Sequence, residues 1–208
     1  MVALIGAVGP RGTSDRILAM IEQVLDLAEL SLSGLDAVAV CAGPGSLTGM
    51  RVGIGAAKGL AAGAGLPLLG VSSLQALAAA AAAGPPVLAL VDAGRGEVYG
   101  AIYRPGDPPI LEGIESVGRP EDFARAVEGR SVRLVGGGAR RYASAFGSLA
   151  GAAGPAEVFL APGVGRVAGA LWGAAENLGK AAGRDLPRAL DPTPRYVRRS
   201  GAPGPLEG

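Results

Sequence analysis

From Thr13 to Leu30, apolar residues recur at helical spacing, with Ile17, Leu18, Ile21, Val24, Leu25 and Ala28 on one face and Thr13 or Ser14 available as a cap. The spacing predicts an amphipathic helix. The β-branched run Asp36 to Cys41 (DAVAVC) reads as a short strand that breaks at Gly43-Pro44-Gly45, and Pro67 to Val71 (PLLGV) reads as the next strand. A helix is predicted from Ser72 into the alanine run ending at Ala83. This alternation of helix and strand signals an α/β fold. Gly84, Pro85 and Pro86 interrupt it and mark a domain boundary, giving one unit over residues 1–84 and a second over residues 85–190. In the second unit, Val87 to Val91 and Glu97 to Tyr103 are strands joined by Asp92 to Gly96 (DAGRG), a hairpin. Proline-rich loops then lead to a helix around Glu121 to Val127, a strand Val132 to Val135, the run Gly136-Gly137-Gly138, and alanine-rich helices through Leu178. Residues 191–208 are proline-rich and read as an extended tail.

The turn Gly43-Pro44-Gly45 suits a tight reversal, because glycine reaches positive φ freely and proline holds its own φ at about −65°. Ser46 or Thr48 is placed to cap the helix that follows, and a helix N-terminus entered from a glycine turn is also a ready anion site. Behind the cap, Gly49, Gly53, Ala57 and Ala61 recur every four residues as a small-residue stripe, with Gly55 and Gly59 as further gaps beside it. A mid-helix glycine costs about 1 kcal/mol relative to alanine, so several of them need an offsetting gain. Two sources fit: a helix lying tightly on its own sheet, or one packed against a helix of another chain.

Composition narrows the function classes. The 208 residues are 49% hydrophobic, ample for a core, and 19 basic residues nearly cancel 18 acidic ones. No strong field draws this chain alone to nucleic acid or membrane. The start MVALIGAVGPRG lacks the basic and long apolar regions of a signal peptide, so the expected compartment is the cytoplasm. Cys41 is the single cysteine, which rules out a disulfide within the chain. Histidine is absent altogether, so neither a Ser-His-Asp nor a Cys-His site can be assembled, and a zinc site of the usual kinds cannot either. Arg140, Arg141, Arg198 and Arg199 are placed either to meet nucleic acid or to solvate a face.

Three places carry candidate chemistry. The glycine segment fails the P-loop frame, since Ala57 and Gly59 flank Lys58 where glycine and a hydroxyl are required, and Lys58 reads as an ordinary helix lysine. Asp92, Gly94 and Gly96 fit a D-x-G-x-G hairpin able to wrap phosphate, yet any tight hairpin favours the same residues. Gly136, Gly137 and Gly138 follow a strand and could pass a nucleotide closely, or form a plain strand-to-helix turn.

The stretch GPGSLTGMRVGIGAAKGLA followed by LPLLGVSSLQALA resembles the hallmark of the TsaB (YeaZ) family, bacterial partner proteins in tRNA threonylcarbamoyladenosine synthesis. VDAGRGEVYGAIY, RGTSDRILAMIEQVL and PRYVRR are similar to the family's hairpin, first long helix and terminal motif. The resemblance implies an actin-like ATPase fold of two ribonuclease-H-like halves in a non-catalytic relative of the transferase TsaD, which holds its metal with histidines. It implies a scaffold that pairs with TsaD as a heterodimer, is joined by the ATPase TsaE, forms a homodimer when alone and meets tRNA only within the complex. It implies no metal and no cofactor, with ATP or ADP reserved for an interface with a partner. The pairing helices map to Ser14 to Leu30 and Ser46 to Ala62, with Ile17, Leu18, Ile21, Leu25, Gly49, Met50, Gly53, Ile54, Ala57 and Ala61 at the contact. The family turn maps to Gly43, Pro44, Gly45, Ser46, Thr48, Gly49 and Arg51. Family members open with a strand ending in Asp-Thr-Ser or Asp-Thr-Ala and then a hairpin, and neither triplet stands here. MVALIGAV then corresponds to a later strand, or to the first strand without its hairpin, and the first half lacks its N-terminal strand and hairpin. The rival reading is an active nucleotide-dependent enzyme of the actin-like or sugar-kinase kind, built on DAGRG and the triple glycine. A peptidase reading would need a catalytic group that the chain does not offer.

Overall fold

The computed structural model describes residues 2–6, 13–81, 84–152 and 159–182, with 13–15, 150–152 and 176–182 in backbone only. The fold is α/β, built on two sheets. Helix α1 (Thr13–Leu27) leads to β1 (Val38–Gly43), α2 (Leu47–Ala64) and β2 (Leu68–Ser72), and β1 pairs with β2 in parallel, Val38 opposite Leu68 and Cys41 opposite Val71. The second sheet has the order β5-β4-β3-β6. Strands β3 (Val87–Gly94), β4 (Glu97–Arg104) and β5 (Ile110–Gly118) form an antiparallel meander, and β6 (Arg133–Val135) joins the far side of β3 in parallel.

Period-two alternation along β3 divides the core into two layers. Leu88 and Leu90 point to one face with Val98, Ile102 and Leu134, where Val127, Ala139 and Phe146 cover them. Val87 and Ala89 point to the other face, against Leu74, Leu77 and Ala78 of α3 (Ser73–Ala80). The opposite side of α3 presents Ala76 and Ala79 to Val164, Val167 and Ala168 of α6 (Leu160–Ala182), beside Val71 of β2. Helix α3 is therefore shared between the sheets. Helix α6, late in the chain, also lies on β1 and β2, so its position in sequence and its position in space differ.

Glycine is required where backbones approach. A Cβ on Gly163 of α6 would enter the Ala76 backbone of α3, meeting its carbonyl oxygen and lying 2.8 Å from the carbonyl carbon. Gly136, at φ 99°, caps the short helix α5 (Gly137–Arg141) and would meet the Leu90 carbonyl in the same way.

Several sequence expectations are corrected. The segment after Pro109, read as loop, is the nine-residue strand β5, whose alternation is broken by a bulge at Gly113 (φ 78°) and by two glutamates, so period-two reading passes over it. The helix predicted to Leu30 ends at Leu27, and α3 ends at Ala80, with 82–83 outside the described residues. Val2–Gly6 adopts no strand and lies against Phe159, which a Cβ on Gly6 would meet. Helix α4 (Pro120–Ala126) and β6 fall where expected, while 143–152 is a 3-10 segment broken at Gly147. The predicted tail, residues 191–208, lies outside the described residues.

Candidate protein interface

Helix α1 packs chiefly on α2, and none of its described side chains is fully buried. Ile17, Ile21, Val24 and Leu25 are half-buried, whereas Leu18 and Leu27 stand 59% and 69% exposed. An apolar helix normally buries its stripe against a partner element. Here that stripe is only half covered.

In α2 the phase of the helix is shown by the buried residues Ile54, Ala57 and Ala61, and Ala57 and Ala61 pack with Leu68, Val38 and Val40 of the first sheet. Ile54, Ala57 and Ala61, expected at a partner contact, are thus inside this chain's own fold. Gly53 faces the same way, its position for a Cβ 4.0 Å from Val40. The stripe anticipated at Gly53, Ala57 and Ala61 is the seat of α2 on its own sheet. The outward stripe is Gly55, Gly59 and Gly63, where an added Cβ would meet no atom of the described residues within 4 Å. Sequence reasoning noted two of these only as gaps. The large β-branched Ile54 is the signal that fixes which stripe turns inward.

At the turn, Gly43 takes φ 96° before a cis peptide bond to the buried Pro44. Ser46, rather than Thr48, is the N-cap, its Oγ accepting from the Gly49 N–H at 3.3 Å. Thr48, Gly49 and Arg51 are exposed, Met50 and Gly45 half-buried. The Pro44 carbonyl accepts from Ser73 Oγ at the start of α3, so the turn is tied to the middle of the molecule. Cys41 lies beside it, and burial pushes its thiol up from the ordinary 9.0, opposed by hydrogen bonds from Gly43 and Ser73. A folded-state value above the unfolded one means the stability it contributes is intact below pH 9.0 and falls as pH rises beyond it. We expect a disulfide-exchange reagent at pH 8 to modify Cys41 about tenfold more slowly in the native chain than in urea. Equal rates would show the thiol to be open.

The candidate nucleotide residues are brought together only in part. Asp92 Oδ1 accepts from the Gly94 N–H (2.9 Å) and from the Tyr142 hydroxyl (3.0 Å), and Oδ2 pairs with Arg141 (3.2 Å). Its carboxylate is committed within the chain. Arg95 (φ 55°) and Gly96 (φ 81°) form the hairpin turn itself. Gly136 and Gly138 are packed on Leu90, Gly138 with a Cβ position 3.0 Å from its carbonyl carbon, while Gly137 is exposed. The triple glycine serves close packing of α5 on β3. Among the described residues no cluster of histidine, cysteine or carboxylates could hold a metal ion, and no helix is long and apolar enough to cross a membrane.

Residues 7–116, spanning α1 through most of β5, match the family model described as TsaD: tRNA N6-adenosine threonylcarbamoyltransferase. The chain is 44% identical over 117 residues to the tRNA threonylcarbamoyladenosine biosynthesis protein TsaB of Escherichia coli, covering 54% of this chain and 51% of that protein. It is 45% identical over 98 residues to the protein of the same name from Haemophilus influenzae, covering 46% of this chain and 42% of that one. The chain thus spans about half the length of the curated relatives it matches. A crystal structure from Pseudomonas aeruginosa, described as an uncharacterized protein with similarity to peptidase YEAZ, superposes with a TM-score of 0.72 at 30% identity, covering 91% of this chain and 86% of that one. With its α1–α2 layer, glycine turn and hairpin all inside the matched region, the chain belongs to the TsaB/YeaZ family, within the fold represented by TsaD.

Proposed function

We propose that this chain is a non-catalytic scaffold subunit of tRNA N6-threonylcarbamoyladenosine biosynthesis in the cytoplasm, built as two ribonuclease-H-like halves and presenting its α1–α2 layer to a TsaD-type transferase. TsaE joins that assembly, a homodimer forms through the same layer when the chain is alone, and tRNA is met only in the complex. The observation that carries the reading is the uncovered helix layer: among the described residues, α1 has no buried side chain, and Gly55, Gly59 and Gly63 face outward with no neighbour within 4 Å of an added Cβ. A helix that tolerates several glycines on an open face gives up about 1 kcal/mol at each, an expense that close approach of a partner helix offsets. The missing histidines and the internally satisfied Asp92 fit a subunit that lends surface rather than chemistry.

The test is reconstitution of tRNA modification from TsaD, TsaE and the threonylcarbamoyl-adenylate supply, with and without this chain. Modified nucleoside is expected only when the chain is present. Equal product in its absence sinks the reading, and calorimetric ATP binding by the isolated chain would favour the nucleotide-dependent enzyme.

A further inference from the structure

Two adjacent serines join three separate parts of the molecule. Ser72 ends β2 and caps α3, its Oγ accepting from the N–H groups of Leu74 (3.2 Å) and Gln75 (3.4 Å) while donating to Glu115 Oε1 on β5. Ser73 Oγ donates to the Pro44 carbonyl in the β1–α2 turn. Both serines are only 2% exposed, so their hydroxyls depend on protein partners. Glu115 Oε1 also accepts from the Tyr103 hydroxyl on β4 at 2.7 Å.

Glu115 reaches this point because of the β5 bulge. Ile102 pairs with Glu112 and Gly100 with Ser116, so β5 advances four residues where β4 advances two. Bulges of this kind re-aim a side chain. The carboxylate is thereby turned towards the buried start of α3, where the helix dipole also favours negative charge.

We propose that Glu115 is a positioning residue which, through Ser72 and Ser73, holds the β1–α2 turn and the first turn of α2 at their place on the second sheet. The connection runs from β5 to the Ser72 hydroxyl, across one peptide to the Ser73 hydroxyl, and on to Pro44, two residues ahead of the Ser46 cap. Its internal part is independent of any partner. Its consequence for pairing rests on the proposed function.

Hydrogen exchange of the isolated chain tests the internal part. Glu115→Ala is expected to speed exchange of amides 45–50 by about tenfold or more, with β3 and β4 amides changed by less than about twofold. Glu115→Gln keeps an oxygen able to accept both hydroxyl bonds and should behave as wild type. Ser73→Ala, which removes the link to Pro44 together with the hydroxyl contact to Cys41, should reproduce the faster exchange at 45–50, and it keeps the test open should Glu115→Ala not fold. Glu112→Ala, a change on the same strand that removes only the ion pair to Arg130 before β6, should leave 45–50 unchanged. The proposal is overturned if 45–50 exchanges at the wild-type rate in Ser73→Ala or in a folded Glu115→Ala. A uniform rise across all segments, or the same rise in Glu112→Ala, overturns it too. Partner titrations of these variants then separate the two readings: faster exchange with unchanged affinity would leave the relay standing and count against pairing through α2.

Discussion

Replacing Gly59 by leucine leaves the isolated chain folded and weakens its association with a TsaD-type partner by about fivefold or more. Gly59 is exposed, and a Cβ there meets no atom within 4 Å, so leucine adds no clash among the described residues. Leucine is the better helix former by about 0.8–1 kcal/mol, so the melting temperature should hold or rise. Against a closely packed partner helix, the same side chain is overpacked at about 1–3 kcal/mol, which is roughly 5- to 140-fold in Kd at about 1.4 kcal/mol per decade. Thermal denaturation and a binding titration read the two effects separately. Unchanged affinity would remove the outward face of α2 from the interface. Gly53→Leu is the wrong probe, because it aims at Val40 and would lift α2 from its own sheet.

The second large effect is at Gly163. Alanine there would gain about 1 kcal/mol of helix propensity. Its methyl group would also enter the backbone of Ala76, a neighbour that cannot rotate away as a side chain could. Moving α6 off α3 disturbs the cluster of Val71, Ala76, Ala79, Val164, Val167 and Ala168, which the first sheet needs for cover. Overpacking costs of about 3 kcal/mol or more outweigh the propensity gain and lower the melting temperature by about 4 °C or more. Gly165→Ala, two residues away and open to solvent, isolates propensity alone and should raise it. A melting temperature for Gly163→Ala at or above wild type would mean that α3 and α6 do not cross this closely.

How much of this was readable in the chain depended on whether local signals settled the matter. Ile17, Ile21, Val24 and Leu25 at helical spacing, and DAVAVC before a glycine turn, are local patterns and gave α1 and β1 within a few residues. The phase of α2 was also present, in Ile54, but four-residue spacing fits Gly55, Gly59 and Gly63 as well as Gly53, Ala57 and Ala61, and only packing on Leu68 and Val40 separates them. Strand β5 was hidden because its bulge breaks the alternation that marks a strand, and the contact that the bulge allows, Glu115 with Ser72, spans 43 residues. Asp92 showed the limit of motif reading: the spacing to Gly94 and Gly96 is that of a phosphate loop, whereas Tyr142 and Arg141, which occupy the carboxylate, lie far along the chain.

The placement of α6 on β1 and β2 has a consequence for how the chain reaches this form. The two-stranded sheet appears early in synthesis, yet its covering helix starts roughly 90 to 120 residues later, and loop-closure entropy must be met before that contact forms. The second sheet, a meander of sequence neighbours, can assemble first. The sheet under the α1–α2 layer would then mature last, so a ribosome-bound or truncated chain would expose that layer before the sheet beneath it is secured.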